Sequence, residues 1–205
     1  MKQTELQEFM LDNKVLILQM RQAAHELHAS VNQTYDDVHP YGFHLDMVAD
    51  NTANHAHHCI ASVADILPIV FGAYFHDSIE DARQSYNDVL RLASQWLGDP
   101  QARMATEIVY ALTNDKGRTR AERAGERYFA GIRATPYAPL VKLADRLANT
   151  LYSARQQSPR QARMLEIYRA EMPHFLQALT VTSTDDPRLM LPPEMEALLR
   201  RIFQS

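Results

Sequence analysis

A chain of 205 residues, 46% apolar and 22% charged, has material for one compact core and too little for two full domains. Its net charge of -4 gives no electrostatic case for nucleic acid or a membrane surface as partner, and Cys59, standing alone, excludes an internal disulfide. The opening residues Met1 to Glu5 lack the basic region and apolar run of a signal peptide, and no segment approaches the ~18 apolar residues that cross a bilayer, so a cytoplasmic protein is expected.

Taken in chain order, the sequence reads as helix after helix. Leu6, Phe9 and Met10 recur at helical spacing, as do Val15 with Leu18 and Leu16 with Met20, and Asn13 stands between two opening helices. Pro40-Tyr41-Gly42 breaks the chain before a helix through His44, Met47 and Val48. Pro68 sits in the first turn of a segment, Ile69 to Phe75, that is apolar on all sides. It reads as a buried central helix ending in His76-Asp77. Tyr86 to Trp96 forms another helix, closed by Gly98 and Pro100, and Gln101 to Leu112 follows. A basic helix is predicted from about Thr119 to Ala134, with Arg120, Arg123 and Arg127 on one face. The next begins near Pro139 and carries Val141 to Leu151, and Pro159 starts a long one through Ile167, Tyr168 and Phe175. After a polar loop from Thr182 to Pro187, Pro192-Pro193-Glu194 starts a short last helix. No segment alternates with period two, so the expected class is all-α.

Eight of the nine histidines fall between His25 and His76, and from Gln22 to Ala82 there is no Lys or Arg. Imidazole and carboxylate without fixed cations suit a bound metal cation. The sharpest motif is His76-Asp77-Ser78-Ile79-Glu80-Asp81. Read as helix, 76 and 80 share a face and so do 77 and 81, so all four side chains can converge on one site. Imidazole and carboxylate are good ligands for Mn²⁺, Fe²⁺ or Zn²⁺. Four buried ionisable groups without a counter-ion would be costly. Two further pieces are ambiguous alone. Asp145, within Val141 to Asn149, alone reads sooner as a cap or as a surface partner of Arg146 or Lys142. His44, after Pro40-Tyr41-Gly42-Phe43, alone reads sooner as a satisfied core histidine. His55, His57 and His58 do not share a helical face, so a second metal there is not favoured, and Cys59 reads as a buried thiol.

Together the three pieces resemble the HD phosphohydrolases, and within them the hydrolase domain of the Rel/Spo-type alarmone enzymes and their small single-domain forms. Pro40 to His44 matches that family's Pro-Tyr-x-x-His, His76 to Asp81 its His-Asp-x-x-Glu-Asp, and Lys142 to Asn149 its Lys-Leu-Ala-Asp-Arg-Leu-x-Asn. The likeness spans roughly Ala23 to Leu179 of a chain expected to be one domain. It implies an HD-type helical bundle with one metal site in a central cleft. His44, His76, Asp77 and Asp145 would bind one divalent ion, Mn²⁺ first, with Fe²⁺, Zn²⁺, Co²⁺ or Mg²⁺ as alternatives. Glu80 and Asp81 would be the proton-transfer residues, and Lys116, Arg123, Lys142 and Asn149 would meet the substrate; apart from the resemblance, Tyr35 or His39 could stack on a base. The reaction implied is removal of the 3′-pyrophosphate from guanosine 3′,5′-bis(diphosphate).

The match has gaps. The family's basic Arg-Lys-Asp run before the first metal histidine is replaced by Val31 to His39, which has no cation and two carboxylates, and its histidine in the third motif is Ala148. A different phosphate ester is therefore also open: a nucleoside mono- or triphosphate, or the 2′-phosphate of NADPH. So is a catalytically silent nucleotide sensor, although the complete Glu80-Asp81 pair argues against silence.

Overall fold

Proline, glycine and short polar residues punctuate the chain into helices that the apolar periodicity then packs. The computed structural model describes residues 1–114, 117–156 and 158–204, with backbone alone at Arg120 and Ala121. In chain order the helices are α1 (Gln3–Asp12), α2 (Lys14–Ser30), α3 (Gly42–His55), α4 (Ile66–Phe75), α5 (Tyr86–Ala93), α6 (Asp99–Leu112), α7 (Arg120–Arg123), α8 (Glu126–Ala134), α9 (Ala138–Arg155), α10 (Pro159–Leu179) and α11 (Pro193–Gln204). Among the described residues no strand forms; an isolated bridge joins Thr34 to Pro40. The all-α expectation holds.

At the centre, α3 packs against α4 and α9, and α4 packs against α6. Helix α4 is apolar on every side and buries all of its residues but Leu67, as its composition predicts. Its crossing with α6 depends on Gly72, where an added Cβ would stand 2.6 Å from Ile108 Cγ2. Helices α10 and α11 close over α9, α2 covers α3 and α4, and one continuous apolar core runs from Leu6 to Leu199. Cys59 is buried as expected. Its thiol donates to the Met190 carbonyl at 3.2 Å, and burial pushes it up to about 12, so it is chemically quiet.

Two helix expectations need correction. The segment after Phe75 is not helix but a run of turns. Asp81 N still bonds to Asp77 O at 2.8 Å, so 77 and 81 remain one turn apart. Arg83 then takes a left-handed φ of 59°, and Gln84 N closes back on Ser78 O, as at a helix C-terminus. The basic segment is likewise not one helix: α7 stops at Arg123, and α8 restarts after Gly125, whose backbone is extended. Arg123 and Arg127 therefore do not lie on one continuous helical face.

Candidate metal centre and cleft

Three elements bring the chemistry together. Helix α3 presents His44 from its first turn, the end of α4 presents His76 and Asp77, and the middle of α9 presents Asp145. His76 is buried, and its Nδ1 lies 2.9 Å from the Ala73 carbonyl. That contact favours the tautomer protonated at Nδ1 and turns Nε2 toward the site. His44 Nε2 lies 3.4 Å from Asp145 Oδ1 and 3.8 Å from Asp77 Oδ2. His76 Nε2 lies 2.9 Å from Asp77 Oδ2 and 4.0 Å from Asp145 Oδ1. One ligand atom each from His44, His76 and Asp145 falls within 4.8 Å of the others, an arrangement able to hold a metal ion.

The residues fit a divalent cation. Neighbouring ligands around such an ion, at about 2.1 Å each, stand roughly 3–3.5 Å apart. The spacings here lie within an ångström of that. His76 Nε2 is buried without a hydrogen-bond partner of acceptable geometry, which a coordinated cation would satisfy. Burial opposes charge on His76, but Asp77 and Asp145 outweigh it and raise the imidazole to about 9. A cation must therefore displace a proton from this ring. Burial likewise opposes the Asp145 carboxylate, and Lys142 with the two imidazoles holds it well below the usual carboxylate range all the same.

The cleft over this cluster has a volume of about 610 Å³. On α9, Lys142, Asp145, Arg146 and Asn149 recur at helical spacing and all line it. Lys142 Nζ donates to Asp145 Oδ2 at 3.0 Å, leaving Oδ1 toward His44. Asn149 Nδ2 donates to Asp145 Oδ1 at 2.7 Å and Tyr35 OH donates to Asn149 Oδ1 at 2.9 Å, while the Tyr35 ring stacks on His44. Lys142, Asn149 and Tyr35 thus face the cleft and also orient the candidate ligands. Arg123 lines the cleft wall, and Lys116 lies outside the described residues.

Asp77, Glu80 and Asp81 line the same cleft. Glu80 Oε1 accepts from Asn114 Nδ2 at 2.8 Å, and Asp81 Oδ2 accepts from Gln33 Nε2 at 2.7 Å. Burial and the nearby Asp77 raise the Asp81 carboxyl above its ordinary value. Sequence reasoning gave no role to several neighbours. Tyr41 OH donates to Asp77 Oδ2, and His28 stacks on Tyr41 while its Nδ1 meets Gln33 Oε1 at 2.6 Å. Tyr41 was visible inside the Pro-Tyr-x-x-His segment. Gln33 and His28 carry no spacing signal, since α2 and its following loop reach the cleft only by tertiary packing.

The loop that replaces the basic run is built around its own carboxylate. Asp36 Oδ1 accepts from Val38 N at 2.8 Å and His39 N at 2.6 Å, and Oδ2 accepts from Tyr152 OH. Burial disfavours its charge, but these donors outweigh that and lower its pKa. Asp36 is not among the cleft-lining residues.

No protein-family model matches the sequence, and no curated protein does. Among solved structures, the chain is similar to a metazoan ortholog of SpoT, described as hydrolysing ppGpp and playing a role in starvation responses. The TM-score is 0.64 at 22% identity, over 92% of this chain and 93% of that one. At that identity the likeness establishes the fold alone, an all-α helical bundle. No helix among the described residues is long and apolar enough to cross a membrane.

Proposed function

We propose that this chain is a metal-dependent phosphohydrolase of the HD type, one domain throughout, acting on a phosphorylated nucleotide, with guanosine 3′,5′-bis(diphosphate) as the first candidate. The observation that carries this reading is the meeting of His44, His76 and Asp145, with Asp77 against both rings, on the floor of a cleft whose rim holds Glu80 and Asp81. A silent sensor has no use for that pair of rim carboxylates.

His44, His76, Asp77 and Asp145 would hold the ion, with Mn²⁺ placed first by the resemblance to the alarmone hydrolases and Fe²⁺ or Zn²⁺ also suited to this donor set. When bound, it supplies Lewis acidity toward water and a phosphoryl oxygen. The chain supplies the rest. Lys142 and Asn149 fix the Asp145 carboxylate, and the Ala73 carbonyl fixes the His76 tautomer. Glu80, held by Asn114, accepts the proton of the attacking water. Burial and the nearby Asp77 raise the Asp81 carboxyl, which suits it to deliver a proton to the leaving oxygen as the P–O bond breaks. Arg123, on the cleft wall, pairs with a phosphate.

A second reading rests on the 31–39 segment. It brings no cation to the cleft, Arg146 is engaged with Glu171 at 2.8 Å, and Lys142 is engaged with Asp145. That favours an ester with fewer phosphates, such as a nucleoside monophosphate or a dinucleotide 2′-phosphate. One experiment separates the readings: metal-loaded protein offered a nucleotide panel, with products identified by mass. Pyrophosphate from guanosine tetraphosphate supports the first, orthophosphate from another nucleotide the second. Tight binding of one nucleotide with no turnover of any would contradict both.

A further inference from the structure

A second group of metal-ligating side chains lies away from the cleft. Helix α3 carries His44 in its first turn and His55 at its last residue, about 16 Å further along at 1.5 Å per residue. The chain then tightens into a 3-10 turn, Ala56–His58. The α-helical spacing that separates 55, 57 and 58 does not apply within that turn. The His57 and His58 rings face each other, with centroids 3.9 Å apart and planes at 39°. Glu194, in the first turn of α11, comes in from the other end of the sequence.

We propose that His57, His58 and Glu194 form a second divalent-cation site, of the kind that takes Zn²⁺, pinning α11 to the end of α3. One ligand atom from each of these residues lies within 4.8 Å of the others. His58 Nε2 stands 3.5 Å from Glu194 Oε1, close to the roughly 3.3 Å that separates two tetrahedral ligands at about 2.0–2.1 Å from zinc. His55 completes the arrangement from outside. Its Nδ1 meets the other carboxylate oxygen, Oε2, at 3.1 Å, and so orients Glu194 in the manner of an outer partner to a metal ligand. His57 Nδ1 is buried without a hydrogen-bond partner, a cost that coordination or protonation chemistry has to explain.

The donor set selects the ion. Two imidazoles and one carboxylate suit Zn²⁺, Ni²⁺ or Cu²⁺ better than Mg²⁺ or Mn²⁺, which prefer more oxygen. Three protein ligands leave a position for water. Between Gln22 and Ala82 no Lys or Arg competes for this carboxylate. The Met1 amino group, the nearby cation, is spent on the His57 carbonyl at 3.2 Å. The bound ion would tie a helix held on α9 by Met195 and Leu199 to a corner it otherwise meets through side-chain contacts.

The test is a Zn²⁺ titration of metal-stripped full-length chain against a chromophoric chelator, for the native sequence and for His58→Ala/Glu194→Gln. The native chain should take up about two equivalents, one centrally and one here, and the variant about one, its lost site weakened at least about tenfold. Added Zn²⁺ should also raise the unfolding midpoint of the Mn²⁺-loaded native chain more than that of the variant. Both replaced side chains are exposed; if the double variant is nevertheless unstable, His58→Asn alone gives the same reading. Equal zinc stoichiometry and affinity in the native chain and the variant overturn the proposal. The central site can fail independently, by loss of turnover with the His58–Glu194 equivalent still present.

Discussion

Asp81 and Glu80 are adjacent in sequence yet sit in different company. Asn114 gives Glu80 two donors, whereas Asp81 accepts from the Gln33 amide and has the Asp77 carboxylate nearby, which with desolvation raises its carboxyl. In the proposed hydrolysis, that asymmetry favours Asp81 over Glu80 as the acid. Asp81→Asn should keep the metal and lose about 10²- to 10⁴-fold in turnover, measured as kcat beside metal content; full activity in that variant would remove the assignment. A second expectation concerns His76, ordinarily near 6.5 and raised to about 9 in the metal-free chain. A raised folded value means that the bound proton stabilises the fold fully below about pH 6.5, and that this contribution disappears as pH climbs through 9. Denaturant midpoints of chelator-treated protein should therefore fall across that window. The Mn²⁺-loaded protein should lack this fall, because its His76 is already deprotonated. A flat metal-free profile would contradict the Asp77–His76 pairing.

Among the elements, α4 is the one whose placement the rest depends on, and Gly72 sets how closely it approaches α6. Gly72→Ala would gain up to about 1 kcal/mol of helix propensity. It would also drive a methyl to within 2.6 Å of Ile108 Cγ2, an overpacking cost of about 1–3 kcal/mol. A net loss of about 1–2 kcal/mol in equilibrium unfolding is expected, and the double variant with Ile108→Ala should lose less than the sum of the two single losses. Such an element is legible in sequence because ten near-continuous apolar residues can only be core. The α3, α9 and α10 starts were legible for a different reason, their prolines and Gly42. What sequence did not show was where helix gives way to turn. His76 to Asp81 has helical composition and keeps one helical bond, but Arg83 takes the left-handed conformation that ends it. Gly125 breaks the basic segment in a way that periodicity counts as tolerable.

At the scale of the whole molecule, the arrangement joins three stretches of chain separated by more than thirty residues each, and the motifs announced that meeting. Local spacing alone could not, since His44 and Asp145 look ordinary until α3 and α9 are seen to pack together. The supporting residues were less visible for the same reason. Tyr41, Gln33 and His28 act through partners up to 48 positions away. The 55–58 histidines share no helical face, and Glu194 reaches His55 and His58 only by tertiary packing. One measurement bears most directly on the central cluster: anomalous diffraction at the manganese edge from Mn²⁺-soaked crystals. A single strong peak should appear in the cleft, about 2.0–2.3 Å from Nε2 of both His44 and His76 and from carboxylate oxygens of Asp77 and Asp145. A cleft without manganese at saturating Mn²⁺, or a peak bound by other residues, would contradict the assignment and the hydrolysis built on it.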